Sequence, residues 1–160
     1  MRRSVYLMMV LVAVAIAAGS TMAQTNPFVG TWKLDTAKSK YEGAVAPKSL
    51  TRTVTADGSG LKYSFEGVAG DGSKLSYSFS SNLDGKDVPV TGVGIPAGAD
   101  TIALKKVNEH KTEGILKKGG KEVGKASAEV AKDGKTTTVK TSGKSADGKE
   151  IKTESVYEKQ

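Results

Sequence analysis

The side chains that most often carry catalysis or bind metals are sparse in this sequence. It has no Cys and one His, so a cysteine nucleophile, a disulfide framework and a paired-histidine metal site are all excluded. The histidine, His110, follows Glu109, and the pair is either an acid–base couple or part of a solvated turn. We therefore predict no catalytic residue, metal or cofactor. A metal-independent isomerase or hydrolase stays open as the enzymatic alternative.

Aspartate does not supply the missing chemistry, because most Asp residues precede Gly. An Asp-Gly pair between alternating segments is a strong hairpin signal, since Gly tolerates positive φ and Asp accepts a hydrogen bond from nearby backbone. Five of the eight Asp residues stand in such pairs, so we predict that they form turns rather than sites. They are Asp57, Asp71, Asp84, Asp133 and Asp147.

The apolar faces between these turns indicate a different kind of site. Aromatic and aliphatic residues alternate with polar ones, which is typical of strands with one buried face. Arg52 is the one arginine beyond residue 3, and it is the candidate polar anchor. The candidate ligand-binding residues are Arg52, Tyr63, Phe65, Tyr77, Phe79, Ile102, Leu104 and Tyr157. These residues are interpreted either as a packed core or as the wall of a ligand site.

Two of these segments repeat one another. Residues 57–65 and 71–79 agree at seven of nine positions, so one strand template occurs twice. As neighbouring antiparallel strands with a turn centred near Gly70, they would place Tyr63 opposite Tyr77. The repeat is either a template for the core or an aromatic ligand wall. The other expected cross-strand pairs are Phe65 with Leu75 and Leu61 with Phe79.

Short alternating segments follow one another along the chain, with no β-α-β rhythm. We predict an all-β fold: an antiparallel up-and-down meander of about eight to ten strands, closed into a barrel because an open meander leaves exposed edges. Residues 36–48 hold at most one helical turn. Residues 89–99, rich in Pro and Gly, form a long loop that either lines a binding mouth or is a mobile insertion. The predicted strands cover residues 29–35, 49–56, 60–68, 73–82, 86–91, 100–108, 111–118, 121–131, 135–142 and 149–159.

Residues 1–23 are predicted to be a helical secretory signal peptide. Arg2 and Arg3 precede an apolar run over residues 5–18, and small residues lead to Ala23. The run is shorter than the ~20 residues that span a bilayer, and an uncleaved anchor is the alternative. Cleavage would leave one domain, residues 24–160, in a periplasmic or secreted protein with no mature transmembrane segment.

Positive charge is concentrated in the second half of the chain. The net charge is +7, and residues 24–100 hold eight basic and eight acidic residues, so the excess of the predicted mature domain lies in residues 101–160. Lys117, Lys118 and Lys121 are its densest point. They are either solvated surface or a patch for weak contact with anionic surfaces. Because these cations are Lys and no aromatics are interleaved, no specific nucleic-acid recognition is predicted.

The start and end of the domain carry a family resemblance. Gly30-Thr31-Trp32-Lys33-Leu34 resembles the first-strand signature of the lipocalin and fatty-acid-binding (calycin) superfamily, and Val156-Tyr157-Glu158-Lys159 resembles the last strand of fatty-acid-binding proteins. The chain is also similar to a group of exported bacterial lipocalin-like proteins of unassigned activity, through Lys38-Ser39-Lys40-Tyr41 and Asp84-Gly85-Lys86-Asp87. The resemblance implies a barrel whose closed end is plugged by Trp32.

Two departures limit what this resemblance implies about ligands. Fatty-acid-binding proteins carry two helices between their first two strands, and the link here, with Gly43 and Pro47, is too short for them. They also carry an Arg two residues before the terminal-strand Tyr, where this sequence has Ser155. Their carboxylate clamp therefore does not carry over.

These observations predict an exported, non-enzymatic barrel that binds a small apolar or amphipathic ligand. The alternative is a basic envelope or surface interaction protein with a packed barrel and weak polyanion binding. An internal cavity of a few hundred Å³, the usual scale of a ligand pocket, would distinguish the first from the second.

Overall fold

The structure is a computed structural model that describes residues 26–145 and 147–160. The predicted signal peptide, residues 1–23, lies outside the described residues. The described chain forms one eleven-stranded antiparallel sheet that curls into a nearly closed barrel, with one short 3-10 turn at Pro96–Gly98. The predicted all-β meander is therefore confirmed, with more strands than expected.

Most strands run up and down in chain order, and each is followed by a short turn. In the described residues no helix is long and apolar enough to cross a membrane. The strands are β1 Gly30–Glu42, β2 Ser49–Asp57, β3 Gly60–Val68, β4 Lys74–Ser81, β5 Asp84–Pro89, β6 Thr91–Val93, β7 Thr101–Asn108, β8 Lys111–Lys118, β9 Lys121–Val130, β10 Thr136–Lys144 and β11 Glu150–Lys159.

Period-2 alternation sets the inside and outside of the barrel. In β2, buried Leu50, Arg52 and Val54 alternate with more exposed Thr51 and Thr53. The same alternation continues in β3 and β11, which is why the apolar faces meet in one core. Alternate side chains of each strand therefore face a shared interior.

β1 is much longer than predicted, because a bulge lets it continue past the expected end. Its register against β11 shifts between Asp35 and Lys40, where Asp35 Oδ1 accepts hydrogen bonds from the backbone N–H groups of Ala37 and Lys38. Residues 36–48 were predicted to hold at most one helical turn, and they contain none, since β1 continues to Glu42. The bulge also changes which residues of β1 face inward.

The segment that contains β5 and β6 closes the barrel, because its two strands pair with opposite edges of the sheet. β5 pairs with β7 at one edge of the sheet, and β6 pairs with β4 at the other. Between them, Val90 is buried and its backbone N–H donates to the carbonyl of Asp100 at 2.9 Å. The predicted loop over residues 89–99 is thus partly wrong, because β6 occupies its first half.

The β3–β4 hairpin has a different register from the one predicted. Tyr63 lies opposite Phe79, and Phe65 lies opposite Tyr77. The turn is centred one residue later than expected, because Asp71 Oδ1 accepts the backbone N–H of Ser73 at 2.8 Å. Shifting the centre by one residue shifts every pair by two, which keeps the same faces buried. The predicted pairs of Tyr63 with Tyr77, Phe65 with Leu75 and Leu61 with Phe79 are wrong.

The Asp-Gly pairs form turns as predicted, with one exception. Four of the five pairs lie at turns between consecutive strands. Asp84-Gly85 instead begins β5, whose register against β7 is irregular between Asp84 and Asp87. Gly85 adopts φ of 81°, a conformation that favours glycine, so the pair makes a bulge rather than a turn.

Candidate functional site

The barrel encloses a cavity of about 360 Å³. One end is filled by Phe28 and Trp32, both almost fully buried. At the other end the lining comes from loop residues, including Val45 after β1, Ala69 after β3 and Ile95 after β6. The cavity is therefore reached from the end where these three loops meet, which we call the mouth. The side chains of its wall are mostly aliphatic or aromatic.

All eight residues predicted to bind a ligand line this cavity. They come from β2, β3, β4, β7 and β11, so distant parts of the sequence meet around one space. The structure thus brings the predicted set together. The eight residues are Arg52, Tyr63, Phe65, Tyr77, Phe79, Ile102, Leu104 and Tyr157.

Four aromatic rings from the repeated segments form one side of the cavity. The rings of Tyr63 and Phe79 stack with centroids 4.8 Å apart, and those of Phe65 and Tyr77 with centroids 4.5 Å apart. The corrected register puts a tyrosine beside a phenylalanine in each pair. Such stacking fixes the rings relative to one another and stabilises the fold beyond the contribution of their burial. We call this group the aromatic wall.

Arg52 is the buried charge of the site. Its side chain is 2% exposed, and its guanidinium carbon lies 5.4 Å from the ring centroid of Tyr63. The Nη1 atom of Arg52 and the hydroxyl of Tyr63 have no hydrogen-bond partner among the described residues. Burial lowers the pKa of Arg52, and the neighbouring hydroxyls of Tyr63, Tyr157 and Tyr77 partly oppose that effect.

The hydroxyls of Tyr63, Tyr77 and Tyr157 stay neutral at ordinary pH. Burial is the main cause that raises the pKa of Tyr63, Tyr77 and Tyr157 above that of an exposed tyrosine. The positive charge of Arg52 acts in the opposite direction on each of them, and burial outweighs it. At ordinary pH the three hydroxyls can therefore donate hydrogen bonds into the cavity.

Sequence reasoning missed further polar residues of the wall. The Tyr41 and Ser155 hydroxyls lie 3.1 Å apart in a hydrogen bond, and both residues line the cavity. Ser155 shares the inward face of β11 with Tyr157, so the alternation of that strand contained its signal. Tyr41 was hidden because it lies beyond the bulge of β1. Thr112, buried on β8, was also missed.

Trp32 occupies the floor of the barrel rather than the cavity wall. Its side chain is fully buried, and its Nε1–H donates to the carbonyl of Phe28 at 3.0 Å. The ammonium of Lys159 lies 5.0 Å from the indole ring. Trp32 thus packs against Phe28 at the end of the barrel opposite the mouth.

The predicted lysine patch is partly neutralised. Lys117 Nζ lies 2.7 Å from Asp87 Oδ1 in a salt bridge between β8 and β5. Lys118 and Lys121 flank the β8–β9 turn, and both are exposed. The three lysines are thus close in space but contribute fewer uncompensated charges than their sequence spacing indicated.

Glu109 and His110 form the short turn between β7 and β8, at the end of the barrel opposite the mouth. His110 donates its backbone N–H to Asn108 Oδ1 at 2.8 Å, and neither Glu109 nor His110 lines the cavity. Of the described residues, no three His, Asp or Glu side chains are grouped so that they could hold a metal ion. The pair thus has the geometry of a turn.

Known proteins match this chain in structure but not in sequence. No protein-family model matches the chain, and no curated protein sequence matches it. Among solved structures, the chain is similar to the zebrafish ileal bile acid-binding protein complexed with cholic acid, with a TM-score of 0.50 and 12% sequence identity. The match covers 84% of this chain and 99% of that chain. The two chains therefore share the fold of an antiparallel β-barrel.

Proposed function

We propose that this chain is a non-enzymatic binding protein that holds a small apolar or amphipathic ligand inside its barrel. The observation that carries the proposal is the cavity of about 360 Å³ with a mainly apolar wall. Ligand pockets typically have volumes of roughly 300–1,000 Å³ and are lined by apolar side chains with a few polar groups. A packed barrel would have no such space.

The chemistry of the wall favours binding over catalysis. Of the lining residues that the structure describes, none is Asp, Glu, His, Lys or Cys. The hydroxyls of Tyr63, Tyr77 and Tyr157 are not available as general bases, because burial raises the pKa of each of these three groups and keeps it protonated at ordinary pH. Arg52 is a cation at ordinary pH and cannot accept a proton. The groups present can orient a ligand but not move its protons.

Ligand binding can be tested by native mass spectrometry and by titration with the apolar fluorophore N-phenyl-1-naphthylamine. We expect a bound species of one ligand per chain and a rise in probe fluorescence that a competing ligand reverses. Absence of both an adduct and a probe response would contradict the proposal.

A cavity-filling variant locates the probe. Ala128 is buried on β9 and lines the cavity, so Ala128→Leu reduces the available space. We expect probe affinity to fall about tenfold or more, because the larger side chain occupies space that the probe needs. A tenfold fall corresponds to a loss of ~1.4 kcal/mol in binding free energy. The matched control is Glu129→Leu, which places the same side chain at the next position, on the outer face. Equal loss in both variants would show that the probe binds elsewhere.

We also propose that the chain is exported and cleaved after Ala23. Support comes from the sequence of residues 1–23, with two arginines, an apolar run and small residues before the cleavage point. Expression of the full chain in a bacterium, followed by cell fractionation and N-terminal sequencing, should give a periplasmic or secreted protein that begins at Gln24. A membrane-bound product that retains residue 1 would support the anchor instead.

A further inference from the structure

The cavity contains a buried cation that binding of a purely apolar ligand would not use. Arg52 lies between Leu50 and Val54 on the inward face of β2 and is 2% exposed. Its Nη1 atom has no hydrogen-bond partner among the described residues. Moving a charge out of water is costly unless a counter-charge or a full set of hydrogen bonds replaces the water. Arg52 therefore needs an explanation in terms of what the cavity holds.

The chain itself supplies no counter-charge. The guanidinium carbon lies 5.4 Å from the ring centroid of Tyr63 on β3. The other ionisable groups that act on the pKa of Arg52 are Tyr77 on β4 and Tyr157 on β11, and all three tyrosines are neutral at ordinary pH. No carboxylate is present among the described lining residues. The salt bridges found in the described part of the chain join lysines to surface carboxylates, and none includes Arg52. One full positive charge inside the barrel is thus left uncompensated.

A carboxylate is the anion that fits this arrangement. The planar guanidinium presents parallel N–H groups that match the two oxygens of a carboxylate, and the resulting hydrogen bonds are charge-assisted. The Tyr63 hydroxyl, also without a partner, can donate to the same group. A phosphate dianion fits less well, because the described wall offers no second cation to balance its second charge.

We propose that the cavity binds a ligand with one carboxylate, which pairs with Arg52 while the apolar body of the ligand lies along the aromatic wall. This inference rests on the proposed function, since it assumes that the cavity is a binding site. Arg52 is in register with Trp32 of the floor, whereas Val45 and Ile95 line the mouth. The carboxylate therefore enters first and the apolar end lies nearest the mouth.

The clearest test compares two probes that differ in the head group alone, decanoate and decan-1-ol, by calorimetric titration. We expect the wild-type chain to bind decanoate about tenfold or more tightly than decan-1-ol, the ratio produced by a charge-assisted hydrogen bond of ordinary strength. Equal affinity for both would overturn the carboxylate site and leave the proposed function standing. Binding of neither would instead contradict the proposed function.

A variant then assigns the preference to Arg52. Arg52→Met keeps an apolar chain of similar length without the charge, and we expect it to bind both probes equally. Arg52→Lys keeps the charge without the fork, so part of the preference should remain. Without ligand, Arg52→Met should unfold at a urea concentration no lower than the wild type, because it removes an uncompensated buried charge. A preference for decanoate that survives in Arg52→Met would overturn the assignment.

A measurement on the wild-type chain keeps the proposal testable if the variants do not fold. Decanoate labelled with ¹³C at the carboxyl carbon reports the ionisation of the bound head group by its chemical shift. Pairing with Arg52 should lower the pKa of the bound carboxyl relative to free decanoate. A bound carboxyl that titrates as the free acid does, or at higher pH, would contradict the proposal.

Discussion

Trp32 shows how much of this barrel depends on single residues. It is fully buried at the floor, with its Nε1–H bonded to the carbonyl of Phe28, while Arg52 and the tyrosines occupy the space above. Trp32 closes the barrel by packing, whereas Arg52 places a charge in the cavity. The two neighbours in register, Trp32 and Arg52, thus separate the structural floor from the candidate site.

Truncation of Trp32 should be among the most destabilising single changes in the domain. We expect Trp32→Ala to lower the free energy of unfolding by about 3–5 kcal/mol, since it removes the largest buried side chain. Trp32→Phe should cost less, because it keeps most of the packing and loses the bond to Phe28. The measurement is urea denaturation followed by circular dichroism.

Val45→Ala is the matched control for this experiment, because Val45 is 78% exposed at the mouth. Its effect should stay within about 0.5 kcal/mol of the wild type. If Trp32→Ala behaved like Val45→Ala, the floor would not be a structural plug.

At the scale of elements, the β3–β4 hairpin depends on the acceptor in its turn. Asp71 Oδ1 receives the backbone N–H of Ser73 at 2.8 Å and its hydroxyl at 2.6 Å. These two donors, the hydroxyl first, hold the pKa of Asp71 below its usual 3.8. The turn therefore sets the register of the aromatic wall and also responds to acid.

The sign of this pH effect follows from the lowered pKa. The unfolded chain takes up a proton at Asp71 near pH 3.8, and the folded chain does so at lower pH. Its contribution to stability is thus present above pH 3.8 and is lost as the pH falls through the folded-state pKa. In Asp71→Asn, which keeps an oxygen acceptor but does not titrate, the loss of stability between pH 7 and pH 3 should be smaller than in the wild type. An unchanged loss, measured by urea midpoints, would contradict this role.

β6 should be the least protected strand of the sheet. Its three residues are exposed and pair only with β4, whereas β3 is hydrogen-bonded along its length on both sides. We expect the amides of Thr91–Val93 to exchange with deuterium faster than those of β3, because local opening there breaks few contacts. Equal protection, measured by NMR, would mean that the seam opens only when the whole barrel unfolds.

At the scale of the whole molecule, the basic second half predicts little binding of polyanions. Lys117 pairs with Asp87 and Lys140 with Glu154, so positive and negative charges are interleaved on the outer surface. Exposed pairs of this kind are weak and are screened by salt. The domain should therefore elute from immobilised heparin below physiological salt, about 0.15 M. Retention far above that concentration would support the alternative of a surface interaction protein.

The sequence was sufficient for the fold class and for eight of the residues that line the cavity, because alternation and Asp-Gly turns are local signals. It was insufficient where non-local geometry decides. The length of β1 depends on a bulge around Asp35 that pairing with β11 stabilises, and this hid Tyr41. The seam at Val90 could not be predicted from the sequence, because it depends on which strands form the two edges of the sheet. Arg52 was identified by its residue type alone. Its lack of a counter-charge became visible only in the folded chain, where its ionisable neighbours come from β3, β4 and β11.

The pairing of β1 with β11 has a consequence for how the protein is made. Trp32 lies opposite Lys159, so the first strand of the barrel cannot gain this partner until the last strand has been synthesised. Until then β1 and β10 both present unpaired backbone edges, which are prone to join other chains. The barrel can therefore close only after β11 has been synthesised, and a cell making this chain in quantity would need to keep the open sheet apart from its neighbours during that interval.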